Sequence, residues 1–222
     1  MGLNSKIKQH IFIPGNVRSG TTWVTAWLSS HPDIACYRDK LMRHKMNSTE
    51  QPRDIKAFLD SVFEHNARGK SIALLSAPGD ICFKEQHVSH LIHSIYDNAY
   101  VLILYRDGKN WVHSLMNLPW KTKPRSLQYM VNLWITKIQA ILSSTPKNTI
   151  HIKYEDMLYN NAYKEILNFL NIEHVPIVAW QQPYSTKWSQ YNPDRWKNMS
   201  TEHLKIMEKM NPWLEKAGYE TV

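Results

Sequence analysis

The sequence predicts an α/β fold: a single-domain, three-layer α/β/α arrangement around a central parallel sheet. Three observations carry that prediction. Short apolar runs with strand character recur along the chain, the segments between them have helical spacing, and no repeat, low-complexity tract or linker interrupts the alternation. A chain of 222 residues suits one domain spanning 1–222 and is long enough to bury a sizeable core.

Each element follows from its own residues. Ile11-Phe12-Ile13 ends at Pro14-Gly15 and reads as a buried strand. Trp23, Val24, Trp27 and Leu28 share one face of a helix over Gly20–Ser29. A second helix over Asp54–His65 puts Ile55, Phe58, Leu59 and Val62 on one face. Ile81–Phe83 reads as a short strand, Val88–Tyr96 as a helix, and Tyr100–Tyr105 as the clearest buried strand. Helices over Asn110–Leu118 and Leu127–Leu142 lead to a strand at Thr149–Lys153 and a helix at Tyr163–Leu170. Val175–Pro193, with its prolines and aromatics, reads as irregular. Glu202–Ala217 closes the chain as a helix, and Gly218 takes the left-handed position that ends it.

Composition narrows the function. Apolar residues make up 43% and charged residues 21%, which excludes collagenous and disordered chains. Lys and Arg number 27 against 19 Asp and Glu, a net charge of +8, so a polyanionic partner is expected. Two cysteines, Cys36 and Cys82, are too few for a disulfide framework and fit a reducing compartment. The first residues lack an apolar signal-peptide core. The longest apolar runs, of about five residues, fall far short of the ~20 that span a bilayer. The expected setting is cytoplasmic, with no transmembrane segment.

In a parallel sheet the loops at the carboxyl ends of the strands carry the chemistry. The first runs Pro14 to Trp23 and contains Gly15-x4-Gly20, the spacing of a nucleotide P-loop. The P-loop lysine is missing, since Thr21 stands at its position; the cation is Arg18 instead. That argues against a kinase or NTPase, the alternative reading. Arg18-Ser19-Gly20-Thr21-Thr22-Trp23 resembles the 5′-phosphosulfate loop of the sulfotransferases, whose pattern is Pro-[Lys/Arg]-Ser-Gly-Thr-Thr-Trp; Val17 stands where many members have proline.

A second segment agrees. The Tyr100–Tyr105 strand ends at Arg106, and Ser114 follows eight positions later. A guanidinium at a strand end can grip phosphate bidentately. In the sulfotransferases an arginine and a serine at this spacing hold the 3′-phosphate of the donor. Lys153-Tyr154-Glu155-Asp156 resembles a further family segment, whose tyrosine lies near adenine. Arg195, Trp196 and Lys197 fall in one that resembles the segment covering the donor. Glu155, Asp156 and Asp107 are equally readable as helix-capping acids. The resemblance spans about Ile11 to Tyr219, with Lys40–Ala77 matching nothing.

The resemblance implies 3′-phosphoadenosine 5′-phosphosulfate (PAPS) as the donor, leaving adenosine 3′,5′-bisphosphate (PAP), and a small hydroxylated or amino acceptor. This polyanion accounts for the basic surplus without nucleic acid. Arg18 and the Ser19–Thr22 backbone would stabilise charge on the leaving phosphate, and Trp23 would stack on adenine as its counterpart does in the family. No metal is expected, because His87, His90 and His93 fan around a helix rather than converge. A Gly-x-Ser-x-Gly nucleophile motif is also missing.

Lys84, Glu85 and His87 follow the Ile81–Phe83 strand candidate. Lys84 would assist the leaving oxygen. His87 has the better intrinsic pKa for a general base, whereas Glu85 is closer to the family's register. Steady-state kinetics on Glu85→Gln and His87→Ala separate them. Loss of the base should lower turnover about 10²- to 10⁴-fold, and full turnover in both variants would place the base elsewhere.

Overall fold

The computed structural model describes residues 7–15, 18–37, 52–67, 69–78, 88–117, 125–143, 147–159, 162–173 and 192–222. Its centre is a five-stranded, all-parallel sheet in the order β2-β3-β1-β4-β5. The strands are β1 (Gln9–Gly15), β2 (Ile34–Tyr37), β3 (Ile72–Pro78), β4 (Tyr100–Tyr105) and β5 (Thr149–Lys153).

Successive residues of a strand face opposite sides, and the apolar pattern uses both. Ile11, Ile13, Leu74, Leu102, Leu104 and Ile152 enter one core with Trp23, Val24, Trp27 and Leu28 of α1 (Thr21–Leu28). Phe12, Ala73, Leu75, Val101, Ile103 and Tyr105 enter the other. There they meet α2 (Pro52–Ala67), α3 (Val88–Ile95), α4 (Gly108–Met116) and α5 (Leu127–Ser143). Strands buried on both faces read as continuous apolar runs, which made β4 legible. The helices α6 (Tyr154–Tyr159) and α7 (Ala162–Leu170) cover the α1 side.

The connections place the site. From β1 the chain leaves through α1 on one face; from β4 it leaves through α4 on the other. The two strands are neighbours, with Gly15 opposite Leu104. A doubly wound sheet opens its ligand crevice at such a switch point, beyond the carboxyl ends of the strands. Arg18 and Arg106, which follow these two strands, therefore share one corner.

Two expectations change, and two segments go untested. The sheet takes strands at Ile34–Tyr37 and Ile72–Pro78, neither of which the apolar pattern singled out. The expected Ile81–Phe83 strand lies outside the described residues, as does Val175–Tyr191. The expected Glu202–Ala217 helix is interrupted: α8 (Thr201–Met207) passes through a 3₁₀ turn at Glu208–Met210 into α9 (Asn211–Lys216). Pro212, in the first turn of α9, has no N–H to continue an α-helical ladder and so marks the break. Gly218 does end the last helix, at φ 71°. The Tyr219 N–H donates to Leu214 O and the Gly218 N–H to Glu215 O, the paired bonds of a Schellman turn. Among the described residues no helix is long and apolar enough to cross a membrane.

Gly20 caps α1 at φ 87°, and a Cβ there would come 2.7 Å from Tyr154 Cδ2. Gly69 has φ 85° with open space around it. Urea unfolding should therefore rank the two. Gly69→Ala carries only the left-handed backbone cost, about 1–2 kcal/mol. Gly20→Ala adds the steric displacement of a buried ring, a further ~1–3 kcal/mol.

Candidate functional site

The loop after β1 turns on two left-handed residues, Arg18 at φ 70° and Gly20 at φ 87°. Left-handed residues in a short turn direct backbone N–H groups into a concavity that suits an anion. Gly20 supplies no side-chain cap to α1, so no side chain from the cap position competes for the amides of the first turn. Ser19, between them, is fully buried, and its hydroxyl has no hydrogen-bond partner among the described residues. A buried, unsatisfied hydroxyl costs about 1–3 kcal/mol unless a ligand meets it.

Two sequence segments meet here. The Arg18 Nε donates to Ser114 Oγ at 2.9 Å, and the Arg106 Nη1 donates to the Arg18 carbonyl at 3.3 Å. The two anion sites inferred from separate motifs thus form one continuous cationic patch. Burial and the charge of Arg106 hold the Arg18 guanidinium below its usual pKa, although it remains a cation.

Arg106 is held from several sides. Its guanidinium carbon lies 4.5 Å from the Tyr154 ring centre, a cation–π contact. Its Nε is 3.9 Å from Glu155 Oε1. Its carbonyl accepts from Trp134 Nε1 at 3.1 Å. Just beyond, Asp107 caps α4, accepting from the Lys109 N–H at 2.8 Å. The capping reading of Asp107 holds, and Arg106, expected to bind an anion, stands directly before it. A Cβ on Gly108 would meet Trp134, so the indole packs directly on this turn.

The Arg195–Asn198 turn reaches the same helix. The Asn110 Nδ2 donates to the Pro193 carbonyl at 2.9 Å, and Trp196 is buried with Lys109 Nζ 4.9 Å from its ring. Arg195 is exposed, close enough for its charge, after burial and with that of Arg106, to lower the pKa of His113. Lys197 is engaged with Asp194 at 2.8 Å on the surface. Thr21 is buried, its Cγ2 methyl lying against Gly15. Trp23 is 6% exposed and stands edge-on to Tyr154, in the core under the loop. Tyr154 presents its ring to Arg106. Lys84, Glu85 and His87 lie outside the described residues.

The sequence reading passed over two participants, His113 and Tyr219, and gave Lys109 only a place in the Arg106–Lys109 loop expected to carry chemistry. His113 precedes the predicted Ser114. Lys109 is 2% exposed and ties Asp107, the Trp196 ring and the Glu220 carbonyl together. Tyr219 donates to Glu155 Oε2 at 2.9 Å across 64 residues of sequence. Only adjacency to a motif could have signalled His113; Lys109 lies in the loop after β4, and nothing local marks Tyr219. The donor set, two guanidiniums beside an orphaned hydroxyl and a left-handed loop, fits a ligand carrying phosphate or sulfate oxygens.

Comparison with known proteins agrees. The sulfotransferase domain family matches residues 8–217. The sulfotransferase domain from the curacin biosynthetic pathway superposes with a TM-score of 0.65 at 15% identity, covering 98% of this chain and 100% of that one. Mouse sulfotransferase SULT7A1, solved complexed with PAP, superposes with a TM-score of 0.61 at 14% identity, covering 97% and 88%. Human protein-tyrosine sulfotransferase 1 is 27% identical over 124 residues, 48% of this chain and 34% of its own length. With the matched region running from the start of β1 to the last helix, the chain belongs to the sulfotransferase family.

Proposed function

We propose that the protein transfers a sulfuryl group from PAPS to a hydroxyl or amine of an acceptor. The observation that carries this reading is the convergence of Arg18, Ser114 and Arg106 on the switch-point corner. Two guanidiniums brought together in a half-buried place favour an anion of more than one charge. The SULT7A1 complex with PAP makes the same ligand the first to test.

The bound donor supplies the sulfuryl group; the chain's own residues bind and orient it. Arg18 and the first-turn amides of α1 hold positive potential where charge collects on a leaving phosphate. Arg106 and Ser114 fix a second phosphate, and Arg195 adds charge from the surface. Either Glu85 or His87 takes the acceptor's proton, and Lys84 assists. A small molecule bearing a hydroxyl or amine is the first class of acceptor to screen. The name of the human relative adds one specific candidate, a tyrosine phenol.

A P-loop kinase reading has little to stand on, because buried Thr21 occupies the position of the phosphate-binding lysine. Isothermal calorimetry with PAP, ATP plus Mg²⁺, and an oligonucleotide separates the readings. PAP alone should bind, equally well with and without EDTA. Arg106→Ala should weaken PAP about 10- to 100-fold, the range for removing a charged hydrogen-bond partner. Unchanged affinity in that variant would remove the second phosphate site, and preferential ATP·Mg binding would restore the kinase reading.

A further inference from the structure

Of residues 218–222, Tyr219 reaches the back of the cationic corner, through Glu155. The Schellman turn at Gly218 sends Tyr219 inward. Its ring lies edge-on to Tyr105, centres 6.1 Å apart, and Lys153 Nζ sits 4.8 Å from the ring centre. The Lys153 ammonium also donates to the Gly218 carbonyl at 3.0 Å, and the Lys109 ammonium to the Glu220 carbonyl. So held, the Tyr219 hydroxyl donates to Glu155 Oε2 at 2.9 Å, while Glu155 Oε1 faces Arg106 Nε.

We propose that Tyr219 is a positioning residue for the donor site: through the Glu155 carboxylate it holds the Arg106 guanidinium in the orientation that presents it to the Arg18 loop. This rests on the PAPS reading above. The carboxylate offers one oxygen to each partner, a hydrogen bond from the phenol on Oε2 and a 3.9 Å ion pair with Arg106 on Oε1, so the anchored phenol sets where the carboxylate draws the guanidinium. Arg106 spends its Nε side on Glu155, its face on Tyr154 and one Nη1 bond on the Arg18 carbonyl. Its stem is therefore fixed before a ligand arrives, which lowers the ordering cost of binding.

The sign of the effect separates positioning from plain electrostatics. Glu155 carries negative charge beside an anion site. Were it only a charge, neutralising it would tighten anion binding. As an anchor, its neutralisation weakens binding. Burial pushes the Glu155 carboxyl upward, while Arg106 and the Tyr219 hydroxyl hold it down and Asp107 pushes it up again. Tyr105 on β4 and Asp156 on α6 face the same cluster. Removing the phenol hydroxyl takes away one of the groups that keep Glu155 ionised. Its pKa then rises, and the anchor is lost at higher pH as the solution is acidified.

Calorimetric titration of PAP into wild type, Tyr219→Phe, Glu155→Gln and the double variant, repeated across pH 5–8, tests this. Tyr219→Phe should weaken PAP roughly 5- to 30-fold, less than the roughly 10- to 160-fold of a hydrogen bond to a charged group lost at the ligand itself, because this bond acts through Glu155. Glu155→Gln should weaken it at least as much, and the double variant no more than Glu155→Gln alone. Relative to wild type, which cancels the ligand's own titration, Tyr219→Phe should move the acid-side loss of affinity to higher pH. Thermal unfolding of each variant reports stability alone. Unchanged or tighter PAP binding in Tyr219→Phe, additive losses, or a lowered melting temperature at unchanged affinity would each overturn the proposal. Failure of wild type itself to bind PAP would instead overturn the donor assignment, and this inference with it.

Discussion

The corner between β1 and β4 brings two arginines together, and much of the surrounding structure exists to tolerate that. Parallel pairing with Gly15 opposite Leu104 leaves the following loops no choice but to run side by side. Like charges that share a half-buried place lose hydration and repel. The compensation is spread over unlike groups: the Ser114 hydroxyl on Arg18, and for Arg106 the Arg18 carbonyl, the Tyr154 face and the Glu155 carboxylate. None of these cancels the positive charge of both guanidiniums. The remainder is a standing attraction for an anion.

Rigidity around that corner comes from packing as much as from charge. Trp134 binds the Arg106 carbonyl and presses on Gly108, so a larger residue at 108 would push the indole away and release the turn. Asp107 fixes the start of α4, and α4 carries both Ser114 and His113. Lys109 places a cation almost wholly inside the protein, which is tolerable only because Asp107, the Glu220 carbonyl and the Trp196 ring surround it. The same lysine thereby ties the Arg195–Asn198 turn and the last residues to the helix beside the site.

What could be read in advance was what is encoded locally. The loop residues from Arg18 to Trp23, and the interval from Arg106 to Ser114, are short patterns whose chemistry does not depend on distant partners. Tyr100–Tyr105 was legible as a dense, bounded apolar run, and Thr149–Lys153 as a short alternation that puts Ile150 and Ile152 on one face. Ile34–Tyr37 escaped because four residues carry too little periodicity. Ile72–Pro78 escaped because an apolar run of that length is as compatible with a helix segment as with a strand. The 3₁₀ break at Glu208 depended on Pro212, whose effect on the preceding turn was overlooked. The bonds from Tyr219 to Glu155 and from Arg18 to Ser114 join residues 64 and 96 positions apart; only the folded chain creates them.

The position of the cation explains why a loop so close to a P-loop departs from it. At 21, the first helical residue, the side chain lies buried beneath Gly15, and the glycine's missing Cβ is what makes room for it. A lysine there would have to carry its ammonium through the packed base of the loop. Moving the cation back to 18 places it at a left-handed residue, outside the helix, where a long side chain can extend across the crevice. It then meets Ser114 on the helix that follows β4 rather than staying over its own strand. A cation at the helix start serves a phosphate chain lying along one loop. A cation that bridges two loops serves a ligand whose anionic groups are set apart, and the second arginine at the neighbouring strand end completes that arrangement.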